Sequence, residues 1–153
     1  MSKTSESSGP RRSGPRQPRY ERLTAWQACH DLTLAVFRES VGWQKEHQDT
    51  LADELRKSLT AAVTHIMIGA DETDEKGFRR ELNLSLGKLA RFESTWEVVK
   101  ETGLVTPEAW GEIEAKRDHA EHLVRGLYYA IGRKGGGATS RARGEGREAR
   151  GER

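Results

Sequence analysis

The chain has 153 residues, 34% of them hydrophobic and 33% charged, with a formal net charge of +2, enough apolar matter for one modest core and one domain. No stretch reaches the eighteen or so uninterrupted apolar residues of a membrane span, since the most apolar run, Ala61 to Ala70, is broken by Thr64 and His65, and the N-terminus has no apolar secretory segment. The lone Cys29 forms neither an intramolecular disulfide nor a thiolate metal site by itself, so a reducing, cytoplasmic setting is expected, with Cys29 as a small buried residue.

The charge is unevenly spread. Residues 1–22 hold six Lys/Arg and two Glu, and residues 133–153 hold seven Lys/Arg and three Glu, so each flank is +4 and the stretch between them is −6. Residues 1–21 are rich in Ser, Pro and Arg and 134–153 in Gly, Arg and Glu; neither offers a periodic apolar face, and both are expected to be disordered basic tails around a folded domain at 22–133.

Within that domain the apolar spacing is helical almost throughout. The first helix is expected over about Arg22 to Trp43, with Leu23, Trp26, Cys29, Leu32, Val36 and Phe37 on a broad face. The second, about Glu46 to Ala70, carries Leu51, Leu55, Leu59, Ala62, Val63 and Ile66. The third, about Asp74 to Thr102, repeats through Phe78, Leu82, Leu86, Leu89, Phe92, Trp96 and Val99. The fourth, about Pro107 to Gly132, runs Trp110, Ile113, Arg117, Ala120, Val124, Leu127 and Ile131 at alternating three- and four-residue steps, which suits left-handed helix packing.

Local chemistry marks the breaks. Thr73 before Asp74 and Glu75 reads as an N-cap with first-turn acids, and Gly103 as a left-handed C-terminal stop. Thr106-Pro107-Glu108 combines an N-cap, a first-turn Pro and an acid; Gly132 to Gly137 is expected to end the last helix, and Gly42 the first. Helices of about 33 to 44 Å joined by short turns must fold back on one another. The expected fold is all-α: an antiparallel up-down-up-down four-helix bundle with disordered tails.

Specific residues then resemble a known family, the four-helix-bundle proteins of bacterial ribosomal RNA intervening sequences and their relatives, the accessory variability determinants of diversity-generating retroelements. Leu23-Thr-Ala-Trp26-Gln-Ala28 is similar to the family's L-x-x-W-x-x-A opening, and Leu51-Ala-Asp-Glu-Leu55-Arg56-Lys57 to its L-x-x-Q-[IL]-R-[RK] stretch. Leu82-Asn-Leu84-Ser85-Leu-Gly87-Lys88-Leu89 resembles the F-L-x-[IL]-A-x-G-S-L signature, and Gly103-Leu104 the turn before the fourth helix. The chain departs from the family at His65-Ile66-Met67-Ile68-Gly69, where N-I-A-E-G is common, at Lys88 in place of Ser, and at Arg91 in place of Glu. The resemblance implies a homopentameric ring and, for the retroelement branch, binding of nucleic acid and a reverse transcriptase.

Catalytic and metal chemistry find little support in the residues. Cys29-His30-Asp31 places neighbours about 100° apart on a helix, which forbids a triad. Glu114, Asp118, His119 and His122 share a helix but form no Glu-x-x-His motif, so they read as a solvated polar face, and His65 as a partly buried, hydrogen-bonded histidine. No phosphate-binding glycine loop, G-x-S-x-G or CxxC occurs, and no enzyme, cofactor or metal is expected.

Binding is the better expectation. Trp26, Leu34, Phe37, Val41 and Trp43 spread around the first helix too widely for one internal seam; Trp26, Phe37 and Trp43 are therefore candidates for a self-association interface. Arg56, Lys57, Arg79, Arg80, Lys88 and Arg91 are candidates for a basic ridge on helices two and three. The tail arginines Arg11, Arg12, Arg16, Arg19, Arg141, Arg143, Arg147 and Arg150 are the stronger candidates for contact with RNA or DNA.

Overall fold

The computed structural model describes residues 19–72 and 74–135, and among these it contains four long helices and no strand. They are α1 (Thr24–Ser40), α2 (Asp53–Ala70), α3 (Glu75–Thr102) and α4 (Pro107–Gly135). A 3-10 turn, Arg19–Arg22, precedes α1, and a short helical stretch, Lys45–His47, with a π-helical segment, Gln48–Ala52, leads directly into α2. Residues 19–21 of the expected N-terminal tail thus belong to the 3-10 turn. The rest of both expected tails, with Arg11, Arg12, Arg16, Arg141, Arg143, Arg147 and Arg150, lies outside the described residues, as does Thr73.

The predicted stripes are the core. Leu32, Val36, Leu55, Leu59, Ile66, Leu82, Leu89, Phe92, Trp96, Val99 and Val124 are all buried in one cluster, at the spacing the sequence shows. Polar contacts fix the register. His65 faces Glu81, the Ser85 hydroxyl donates to the Ala62 carbonyl, and Arg91 pairs with Glu54, so residue number rises along α2 as it falls along α3. Arg79 against Tyr128, Glu93 against Arg117 and Trp96 against Trp110 give the same antiparallel sense to α3 and α4, and Asp31 with Lys116 joins α1 to α4.

Two of the expected helix boundaries follow from their own residues. Gly103 has φ +76°, the left-handed geometry of a C-terminal stop, and the Ala109 N–H donates to Thr106 Oγ1 at 3.1 Å. Two boundaries differ. The cap of α3 is Asp74, whose carboxylate accepts from the Gly77 N–H at 2.8 Å. Helix α1 stops at Ser40, and not through Gly42: the Gln48 side-chain amide donates to the carbonyls of Ser40, Val41 and Trp43, satisfying groups a longer helix would have bonded. Helix α4 extends to Gly135, inside the 132–137 stretch expected to end it, and its Gly132 lies against the Arg79 guanidinium, where an added Cβ would come within 2.9 Å.

Helices α2 and α3 pack tightly at Gly69, where a Cβ would lie 2.8 Å from Phe78 Cδ1 and 3.0 Å from Glu81 Cβ. Alanine is the better helix former by about 1 kcal/mol, but crowding a packed seam costs about 1–3 kcal/mol. Gly69→Ala is accordingly expected to destabilise the protein by about 1–2 kcal/mol, measured as a lower urea midpoint at unchanged slope.

Candidate interaction surfaces

At three- and four-residue steps Leu34 and Phe37 of α1 and Val41, the residue that caps its C-terminal end, fall on one outward stripe with exposures of 36, 40 and 73%. Of the three residues expected at an interface, Phe37 is on this stripe, with the Arg56 guanidinium 5.0 Å from its ring centre. Trp26 is half-buried, stacked on His30 at 4.6 Å and touching Tyr20 at 5.1 Å; Trp43 is also half-buried against the core. Among the described residues both indole N–H groups are buried with no hydrogen-bond partner. The apolar face left to solvent is therefore narrower than the sequence spacing implies and runs through Leu34, Phe37 and Val41.

The six cations expected to form a ridge are divided among separate tasks. Nine residues is two and a half helical turns, so α3 presents Arg79 and Lys88 on opposite sides. Arg79 turns to α4, stacks over Tyr128 at 4.1 Å and donates to the Tyr128 carbonyl. Arg56 donates to Ser40 Oγ through Nε and Nη2, at 3.1 and 2.8 Å, and serves the α1–α2 corner. Arg80 is exposed, 3.9 Å from Glu72 and 4.0 Å from Glu81. Lys57, Lys88 and Arg91 do converge, around a depression of about 310 Å³ between α2 and α3 that also contains Glu54, Ser58 and Ala61. Lys57 is paired with Asp53 at 3.1 Å and Arg91 with Glu54 at 2.5 Å, and the Arg91 guanidinium holds the Glu54 carboxyl below the usual carboxylate range. The Arg19 backbone sits in the turn before α1, and its side chain lies outside what is described.

One ionic cluster was not apparent in the sequence. Arg117 falls in the apolar stripe of α4 and is buried, at 6% exposure. Its guanidinium contacts Glu114 at 2.7 Å, Glu121, and Glu93 of α3 at 3.5 Å, while Arg125 pairs with Glu121 at 2.6 Å. Glu114 and the neighbouring carboxylates raise the Arg117 pKa further, and Arg125 followed by Arg117 holds Glu121 below its ordinary value. The signal available in the sequence was charge spacing: Glu114, Arg117 and Glu121 stand at i−3 and i+4, the positions that meet on a helix.

The same contacts take the text-level catalytic and metal candidates apart. Cys29 is buried in the core, and burial pushes its thiol up to about 12; His30 stacks on Trp26, and Asp31 turns to Lys116 at 2.9 Å. Glu114 is turned to Arg117, Asp118 is exposed, and His119 and His122 line two different depressions between α1 and α4. Among the described residues no group of three or more His, Cys, Asp or Glu is placed to hold a metal ion, and no helix is long and apolar enough to cross a membrane. His65 is partly buried with Nδ1 2.8 Å from Glu81 Oε1, the hydrogen-bonded environment expected of it.

Helix order, core and surfaces together define an all-α four-helix-bundle protein. Residues 21–126 match the 23S rRNA-intervening sequence proteins, and the chain belongs to that family. No curated protein matches it.

Proposed function

We propose that this protein is a non-enzymatic, homo-oligomeric scaffold or binding module that acts in the cytoplasm and assembles through α1. The observation that carries this reading is the outward stripe of Leu34, Phe37 and Val41, three large apolar side chains aligned along α1 and its C-terminal cap and left exposed. Fully burying a side chain of this kind gains about 1.5–3 kcal/mol, so a second copy laid along the stripe has a driving force that the isolated chain forgoes. The family resemblance supports a ring of five.

Light scattering on the purified chain at micromolar concentration tests this. A particle mass that is a multiple of 17.2 kDa is expected, as is dissociation of the double variant Leu34→Glu/Val41→Glu with its helical circular dichroism unchanged. A wild-type monomer, or a double variant that assembles as before, would sink the reading.

A second reading is supported by the charge distribution: two +4 flanks on a −6 body suit contact with a polyanion better than self-assembly alone requires. In it the protein is a nucleic-acid-binding accessory, working beside a reverse transcriptase as the retroelement branch of the resemblance implies.

A further inference from the structure

Lys57 and Ser58 of α2 meet Lys88 and Arg91 of α3 around the depression of about 310 Å³ on the seam between the two helices, which also holds Glu54 and Ala61. Its lining carries three positive charges and one negative, on a body whose net charge is −6. Like charges drawn to one concavity repel each other, and Glu54 offsets only one of the three. We propose that the depression is a binding site for the dianionic phosphate of a phosphate monoester, whose two charges match the two left over. The site requires neither the α1 stripe nor the flanking arginines.

Each polar donor of the lining has capacity to spare. Among the described residues Lys88, half-buried, has no carboxylate within ion-pair distance, and Arg91 gives only its Nε to Glu54. The two Nη groups of Arg91, the fork that matches an oxyanion, are left open. The Lys57–Asp53 pair is exposed and lies within one helix, a kind of contact that holds its cation weakly. Ser58 is buried at 3% exposure, and its hydroxyl donates to Glu54 at 3.4 Å, a bond long enough to give up to a phosphate oxygen. Size and surroundings favour a single phosphate group over a strand. The volume stands at the lower end of small-molecule sites, about 300–1,000 Å³. The cations also do not continue along the seam: His65 meets Glu81 there, Arg79 is turned to α4, and Arg56 to the end of α1. One turn from Lys88 on the same side of α3, the exposed Leu84 offers an apolar edge to the organic half of an ester.

The test is a titration of the full-length protein with methyl phosphate at about pH 7.5, where the monoester is a dianion, followed through the backbone amide signals by NMR. Saturable shifts centred on Ser58, Ala61 and Lys88 are expected, with one phosphate per chain and a Kd of about 1 mM or below. Lys88→Gln and Arg91→Gln should each weaken binding about tenfold. Glu54→Gln, which removes the competing carboxylate, should tighten it several-fold, a gain that no loss of folding imitates. Arg80→Gln, at an exposed cation outside the depression, should leave it unchanged. Dimethyl phosphate, a monoanion, should bind about tenfold more weakly or worse. Absence of saturable shifts up to about 20 mM, shifts confined to the flanking arginines, or equal binding of the two phosphates would overturn the site. A nucleoside 5′-monophosphate and one RNA of about 12 nucleotides, carrying a 5′-phosphate or a 5′-hydroxyl, separate the sources of the group. Tighter binding of the mononucleotide assigns the site to small phosphorylated molecules, and a tenfold preference for the phosphorylated RNA assigns it to strand ends. The 5′-hydroxyl RNA bound equally well at Lys88 contradicts a monoester site.

Discussion

Trp96→Ala is expected to lower the unfolding free energy by about 3–5 kcal/mol, the largest effect of any single substitution in the chain, and against a typical total of about 5–15 kcal/mol it leaves a marginal fold. Trp96 is fully buried on α3, with its ring stacked on Phe92 at 5.8 Å and on Trp110 of α4 at 6.0 Å and 5°. The two tryptophans also clasp each other's backbone: Trp110 Nε1 donates to the Trp96 carbonyl at 2.9 Å, and Trp96 Nε1 to the Trp110 carbonyl at 3.4 Å. Alanine removes the ring that fills this seam and the donor that serves the Trp110 carbonyl, leaving a cavity where α3 and α4 meet beside the Gly103 turn. Trp96→Phe keeps most of the apolar volume and is expected to cost about half as much. Urea unfolding at one fixed protein concentration measures both, because the proposed self-association would make the midpoint depend on concentration.

Arg117→Ala ranks second, at about 2–3 kcal/mol near neutral pH. Breaking a fully buried ion pair costs about 3–5 kcal/mol; the lower figure allows for Glu93, Glu114 and Glu121 being partly solvated. The loss is expected to depend on pH in a definite sense. Arg125 and Arg117 lower the folded-state pKa of Glu121, so its contribution is present in full above the unfolded carboxylate value of about 4.3 and disappears as pH falls through the folded value. The wild type should therefore lose stability on acidification below about pH 5, whereas the variant, with like charges left facing each other, should lose less or gain. Adding Glu114→Gln to Arg117→Ala is expected to recover part of the loss at pH 7. Equal destabilisation by Arg117→Ala at pH 7 and pH 3 would show that the arginine acts through packing alone.

The parts of this fold that were legible in the sequence are those fixed by residues close together in the chain. Apolar spacing located all four helices, and Thr106-Pro107 and Gly103 set their boundaries through chemistry contained within one turn. What escaped depends on a partner far along the chain. Helix α1 ends where Gln48 and Arg56 reach back to Ser40, a contact that no property of Gly42 announces. Within α4, the missing side chain of Gly132 makes room for Arg79, a neighbour on another helix. Thr73 was read as the cap of the third helix and Asp74 as a first-turn acid, and it is the Asp74 carboxylate that accepts from the Gly77 N–H.

The candidate surfaces divide in the same way. A stripe at Leu34, Phe37 and Val41 could be read from spacing, but the covering of Trp26 by Tyr20 and His30 could not. The basic ridge failed as a unit on arithmetic that was available: positions 79 and 88 point to opposite sides of one helix. That Arg56 and Arg79 are spent on Phe37 and Tyr128 required the neighbouring helices to be in place.

The account stands most directly on α1 meeting another copy of itself. A photo-activated cross-linking side chain placed at Leu34, which is exposed, reports what lies against the stripe. Irradiation of the purified protein should give covalent dimers and higher multiples of this same chain, with the adduct mapping to a second copy. Monomer alone, or adducts only within one chain, would contradict it.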